Sequence, residues 1–163
     1  MNKRVYVRID NRLLHGQVVQ FWIPHLNVEK LLVADDEVFG NAAMQTIYRM
    51  ALPETVRLAV MPVAQLESEF SKLGALTSLV LIRTVKDAKR AVESGCRFSK
   101  IMIGNVHASP DRKRVTDAVY LSAQETEVLS WMEHRGIEVE IQTFPGEVLR
   151  FCVSDGGGKW QRC

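Results

Sequence analysis

The sequence predicts an α/β fold, a three-layer α/β/α sandwich around a mostly parallel central sheet of about six strands, with a candidate short extra strand. Six short apolar runs rich in Val, Ile and Leu recur along the chain, and runs of that length suit strands buried on both faces. Helix-length segments fill the intervals, and strand alternating with helix implies a parallel sheet covered on both sides. Turn and capping residues stand where one type of segment gives way to the other.

Taken in order, strands are expected at 4–7, 30–34, 56–60, 78–82, 100–103 and 137–141, with helices at 16–25, 41–51, 63–72, 85–94 and 123–135. Gly95 and Gly136 close two of the helices, and Ser122 with Glu125 has the spacing of a capping box before the last long one. The stretch "ASPDRKRVTDAVYLS" breaks the rhythm and is read as a charged loop followed by the short extra strand at 118–121. With 163 residues and 47% hydrophobic content, the chain can bury one core and is too short for two ordinary domains. Residues 1–163 are therefore expected to form a single domain, with 154–163, "SDGGGKWQRC", as a candidate flexible tail because of its glycines.

A net charge of +2 gives no electrostatic reason for a nucleic-acid partner. Cys96, Cys152 and Cys163 form no paired motif and are odd in number, which fits a reducing compartment better than a disulfide scaffold. No apolar run is long enough to cross a bilayer. A cytoplasmic location is expected, without a metal or other cofactor, since no ligand cluster stands out.

The chemistry concentrates in "RIDNRLLHGQV", residues 8–18. If 4–7 is a strand and Gly16 opens a helix, His15 stands at a helix N-terminus beyond the carboxyl end of the first strand. That is where open α/β sheets bind ligands and where free N–H groups favour an anion. Arg12 can present a guanidinium fork to phosphate oxygens, and Arg8 could add a second positive charge. Asp10 could hold Arg12, or accept one imidazole N–H so that the other ring nitrogen of His15 keeps its lone pair outward. Gly16 would let an anion approach the backbone, and Gln17 could offer its backbone N–H without using its side chain. An oriented imidazole beside an anion site is a nucleophile for phosphoryl groups.

This motif, with "LLVADDEV" at 31–38 and "IMIGNVH" at 101–107, resembles component IIB of the bacterial phosphoenolpyruvate-dependent sugar phosphotransferase system, mannose/fructose/sorbose family. The likeness runs to about Pro145. It implies an α/β sandwich and a protein-N(π)-phosphohistidine–sugar phosphotransferase activity. His15 would take a phosphoryl group from phosphorylated component IIA and pass it to a sugar held by the membrane components IIC and IID, with Arg12 binding the phosphate. Contact with the membrane would then run through partner proteins. After "TFPGE" the resemblance implies a C-terminal helix, and here the chain departs from the pattern.

Further candidates are Asp35, which follows the second strand and has the position of a helix cap, Thr84, a cap that could also reach phosphate, and His107, which could approach the first strand's loop. The run "DRKR" at 111–114 could steer an acidic partner, and Phe21 with Trp22 offers a surface for a homo-oligomer. Two rivals stand beside the carrier: a phosphorylation-dependent regulatory module without a transport role, and a nucleotide-binding domain. The second is weakened because neither GxGxxG nor a P-loop follows the first strand.

Overall fold

The computed structural model describes residues 4–154 and 156–162. Its centre is an eight-stranded sheet in the order β10-β9-β8-β5-β1-β4-β2-β3. The strands are β1 (Val5–Asp10), β2 (Lys30–Ala34), β3 (Arg57–Met61), β4 (Ser78–Ile82), β5 (Lys100–Asn105), β8 (Glu138–Ile141), β9 (Leu149–Ser154) and β10 (Gly157–Arg162). A separate two-stranded ribbon pairs β6 (Lys113–Arg114) with β7 (Tyr120–Leu121). All six expected strands are present and pair in parallel, with β1 central between β4 and β5.

The count differs from about six plus one because the last 15 residues or so behave unlike a tail. β9 runs antiparallel to β8, and β10 antiparallel to β9. This corrects the expectation of a flexible segment for Gly157–Arg162; Asp155 and Cys163 lie outside the described residues. Phe151 on β9 is almost wholly buried, and its ring lies against Gly158, where a Cβ would meet it at 1.8 Å. Glycine thus serves here as a seat for an aromatic ring.

Period-two alternation divides the strands between two apolar layers. Val7, Ile9, Val80, Ile82, Ile101, Ile103 and Val139 face one side, with Leu66 of α4 (Leu66–Ser71), Val85, Ala88 and Ala91 of α5 (Val85–Glu93), and Leu129 and Met132 of α6 (Ala123–Glu133). Leu31, Val33, Leu79, Leu81 and Met102 face the other, with Leu13, Val18, Trp22, Ile23 and Tyr48. The second layer is covered by the first helix and by α3 (Ala42–Ala51), with the short α2 (Asp36–Phe39) between β2 and α3. At α6 the capping box is complete, Ser122 accepting from Glu125 N–H and Glu125 accepting from Ser122 N–H.

The first helix opens at Gly16 as expected, then widens into a π-helical turn over Val18–Trp22 before α1 (Ile23–Leu26). Pro24 accounts for the widening: it has no N–H to give the carbonyl of Gln20, and its ring would crowd that carbonyl in a regular α-turn. The Ile23 N–H bonds the Val18 carbonyl instead.

Candidate functional site

β1 runs three residues further than the sequence reading placed it, to Asp10. Val7 and Ile9 go to one face, so Arg8 and Asp10 point together to the other, towards the first helix. Both are fully buried. Next to them β5 carries an irregularity: Ile9 pairs with Ile103 and Asp10 with Asn105, leaving Gly104 as the extra residue of a bulge. The bulge turns Asn105 onto the face of Asp10. A Cβ on Gly104 would meet the Arg8 guanidinium at 2.0 Å, so only glycine leaves room for it. The Thr143 hydroxyl donates to the Gly104 carbonyl (2.8 Å).

Asp10 collects four donors. Its Oδ2 accepts from Asn105 Nδ2 (2.8 Å), His15 Nε2 (2.9 Å) and Arg8 Nε (3.3 Å), and its Oδ1 accepts the Arg12 backbone N–H (3.0 Å). Burial alone would raise this carboxyl, but the hydrogen bonds from His15 and Asn105 and the charge of Arg8 outweigh it and hold the group below the usual carboxylate range. A carboxylate only accepts, so His15 Nε2 carries a proton, and in the neutral tautomer this leaves the lone pair on Nδ1. The His15 side chain is 13% exposed, enough for a ring edge to reach an incoming group.

The loop after β1 is held in shape by its neighbours. Asn11 donates through Nδ2 to the Arg83 carbonyl (2.8 Å) and accepts the His107 N–H (2.8 Å), tying the loop to the ends of β4 and β5. Leu13 takes a left-handed conformation (φ 54) with its side chain wholly buried. The His15 carbonyl accepts from Val18 and Val19 N–H, so exposed Gly16 and half-buried Gln17 form the first turn. A Cβ on Gly16 would meet nothing within 4 Å. The room over this helix end is therefore not needed by the protein's own packing.

Arg12 is exposed, and its guanidinium makes no hydrogen bond or ion pair with a described residue. It is free to turn to a ligand beside His15. Arg8 is not: burial pulls its guanidinium down to about 10, against the opposing pull of Asp10, and it bonds the carbonyls of Gln142 (2.7 Å) and Thr143 (3.1 Å) and packs 4.9 Å over the Trp22 ring. The expectation of Arg8 as a second phosphate cation is thus corrected; it supports Asp10 from below. The Gln17 side chain also differs from expectation, since its Oε1 accepts from Arg8 Nη2 (2.8 Å) and Asn105 Nδ2 (2.9 Å).

The remaining candidates divide. Asp35 caps α2 through the Val38 N–H (2.8 Å) and takes a two-point bond from Arg83 (2.7 and 2.8 Å). Thr84 caps α5, accepting from Asp87 N–H (3.0 Å) and donating to Asp87 Oδ2 (2.8 Å), which occupies its hydroxyl. His107 comes up to the first loop through its backbone, with an exposed ring. Trp22 is 1% exposed and bonds the Thr143 carbonyl, so the surface proposed for it and Phe21 is reduced to Phe21, which packs edge-on against exposed Phe144 (5.3 Å). In the "DRKR" run, Arg112 is taken up by Glu125 and Arg114 by Asp117. Among the described residues no group of three or more His, Cys, Asp and Glu could hold a metal ion, and no helix is long and apolar enough to cross a membrane.

A mostly parallel open sheet with a buried carboxylate bonded to a histidine at a helix start, beyond the carboxyl end of a central strand, defines an α/β domain with its candidate site at the strand ends. The chain belongs to the family described as "PTS system sorbose subfamily IIB component", which matches residues 4–150. It is 30% identical over 143 residues to the N-acetylgalactosamine-specific phosphotransferase enzyme IIB component 1 of Escherichia coli, covering 86% of this chain and 90% of that protein. It is 28% identical over 137 residues to the mannose-specific EIIAB component of the same species, covering 83% of this chain. The chain spans 42% of that longer relative. The N-acetylgalactosamine-specific IIB component 1 structure from Escherichia coli superposes with a TM-score of 0.81 at 28% identity, over 89% of this chain and 95% of that one.

Proposed function

We propose that this IIB component is a cytoplasmic phosphocarrier in which His15 Nδ1 accepts a phosphoryl group from phosphorylated component IIA and delivers it to a sugar held by IIC and IID. The observation that carries this reading is the 2.9 Å bond from His15 Nε2 to buried Asp10, which leaves Nδ1 as the nucleophile. In the first step the Nδ1 lone pair attacks phosphorus, the new N–P bond forms, and the bond to the donor imidazole breaks with its electron pair returning to the donor. In the second, a sugar hydroxyl oxygen attacks, the N–P bond breaks back to Nδ1, and the hydroxyl proton is released.

Charge stabilisation would come from the Arg12 fork and from the N–H groups of Gly16 and Gln17, with the roughly half-unit positive charge of a helix start behind them. As Nδ1 takes the phosphoryl group the ring becomes cationic, and the Asp10 carboxylate lies 2.9 Å from Nε2 to balance it. The chain's own residues thus neutralise both ends of the transferring group.

The test is labelling from phosphoenolpyruvate through the general phosphotransferase proteins and a IIA partner, with parent and His15→Ala. The expected label is acid-labile and alkali-stable, and it is absent from His15→Ala, which still folds with a single cooperative transition, lowered by the loss of the His15–Asp10 bond. Failure of the parent to take label from several IIA partners would remove the carrier reading.

A further inference from the structure

Beneath His15 the hydrogen bonds close into a ring of four side chains. Asp10 accepts from Asn105 and Arg8, and those same two residues donate to Gln17 Oε1. Asp10 and Gln17 supply acceptors and Arg8 supplies only donors, so the sense of every bond follows from the charge on Asp10. Asn105 has two amide hydrogens and spends them on Asp10 and Gln17. A flipped Asn105 amide would set its oxygen against Asp10 Oδ2 at 2.8 Å and Gln17 Oε1 at 2.9 Å. Two acceptor–acceptor contacts, one of them on a buried carboxylate, forbid that orientation.

The backbone is bent to allow this ring. Were β5 regular through Gly104, Asn105 would alternate onto the face of Ile103, away from Asp10, and with any Cβ at 104 the guanidinium of Arg8 would have no place. Gln17 enters from the first turn of the helix that His15 begins, so the ring also ties that helix end to β1 and β5. Among the described residues no buried side-chain nitrogen or oxygen lacks a partner.

We propose that Asn105 and the Gln17 side chain are positioning residues, which hold the Asp10 carboxylate in the orientation that accepts His15 Nε2–H and thereby decide that Nδ1 is the attacking nitrogen. The inference deepens the phosphocarrier reading and rests on it for its catalytic consequence. The geometry of the ring stands independently. Removing Asn105 takes the shortest hydrogen bond from Asp10 Oδ2, leaving Arg8 and the Arg12 N–H to hold the carboxylate, and removing the Gln17 acceptor frees the Asn105 amide. In either case the acceptor facing His15 is held less firmly and both neutral tautomers become populated.

The experiment reads the tautomer directly, by long-range ¹H–¹⁵N spectra of the His15 ring in full-length parent, Asn105→Ala, Gln17→Met and Gln17→Glu, alongside phosphoryl uptake from phosphorylated IIA. The parent should show the Nε2–H form. Asn105→Ala and Gln17→Met should show a mixture with Nδ1–H and transfer about tenfold or more slowly, the scale of losing a group that orients a reacting histidine. Gln17→Glu keeps an oxygen acceptor and should restore the Nε2–H form and most of the rate, which a purely structural role would not require. Should Asn105→Ala fail to fold, the two variants at half-buried Gln17 decide the matter. Folded Gln17→Met with the parent's tautomer and the parent's rate overturns the proposal. A parent ring in the Nε2–H form that shifts in the variants, with no label in any protein, supports the positioning role and removes the carrier reading instead.

Discussion

Arg12 and Arg8 lie four positions apart in one motif, yet the fold gives them opposite roles. Arg8 points inward from β1 and is consumed by Asp10, Gln17 and two carbonyls, whereas Arg12 sits on the exposed loop with its fork uncommitted among the described residues. Arg12→Lys keeps the charge but replaces a planar two-point donor by a rotating ammonium. Loss of one charge-assisted hydrogen bond to phosphate, roughly 1.5 kcal/mol, predicts transfer slowed on the order of tenfold with an unchanged melting temperature. Single-turnover phosphoryl transfer measures it, and equal rates for the two proteins would remove Arg12 from the site. Of the two partners open to Asp10 in the sequence, the Arg12 side chain and the His15 imidazole, the fold selects the imidazole, because Arg12 stays on the exposed loop. The inward turn of Arg8 departs from the expected role, although its signal is present in the alternation of Val5, Val7 and Ile9 against Tyr6, Arg8 and Asp10, which extends the strand to Asp10. Asn105 and the side chain of Gln17 were not legible in the sequence, because their roles depend on a bulge that brings them together across 88 residues of chain.

At the level of the elements, the loop between β1 and the first helix must reverse quickly enough to put His15 at the helix start while keeping Leu13 in the second apolar layer. The chain meets both demands by holding Leu13 left-handed, a conformation that costs a non-glycine residue roughly 1–2 kcal/mol. Leu13→Gly removes that strain but also removes a wholly buried side chain, whose truncation costs about 2–5 kcal/mol even to alanine, and adds backbone freedom to the unfolded chain. Burial wins. The predicted outcome is a net loss of about 2 kcal/mol, or a melting temperature lower by roughly 4–8 °C for a chain of this size. A variant as stable as the parent would mean that the strain outweighs the packing. The Gly104 bulge gives the same lesson for reading sequences: glycine inside the apolar run "IMIGNV" marks either a bulge or a close approach, and here it is both. The π-turn had its signal in Pro24, eight residues into an otherwise regular helical stretch.

For the molecule as a whole, two features govern stability. The first is the set of buried carboxylates. Asp10 and Asp35 are both held below the ordinary range; burial opposes this in each, but His15, Asn105 and Arg8 around Asp10 and Arg83 and Val38 N–H around Asp35 outweigh it. Groups with lowered folded values stabilise the fold above the unfolded carboxylate range, near 3.9, and lose that contribution as pH falls through the folded values. The melting temperature should therefore fall steeply below about pH 4, with a shallower fall in Asp35→Asn; coincident profiles would deny Asp35 its share. The second feature is the β9–β10 hairpin, which lies mostly beyond the family match at residue 150 and takes the place of the helix that the resemblance implied. Three glycines in "SDGGGKWQRC" suggested flexibility because the sequence does not show what Gly158 faces. In the fold it faces the Phe151 ring, which packs 4.9 Å from Trp160 and fills the core beside α6. Gly158→Ala puts a methyl where that ring lies, and overpacking of this kind costs about 1–3 kcal/mol. If the hairpin is part of the cooperative unit, the whole domain melts about 2–4 °C lower per kcal/mol lost, in one transition. If it closes the sheet edge as a separate, weaker unit, amide exchange in Leu149–Ser154 and Gly157–Arg162 rises while the main transition stays fixed. The burial of Phe151 at 1% exposure, continuous with α6 and β8, favours the first outcome.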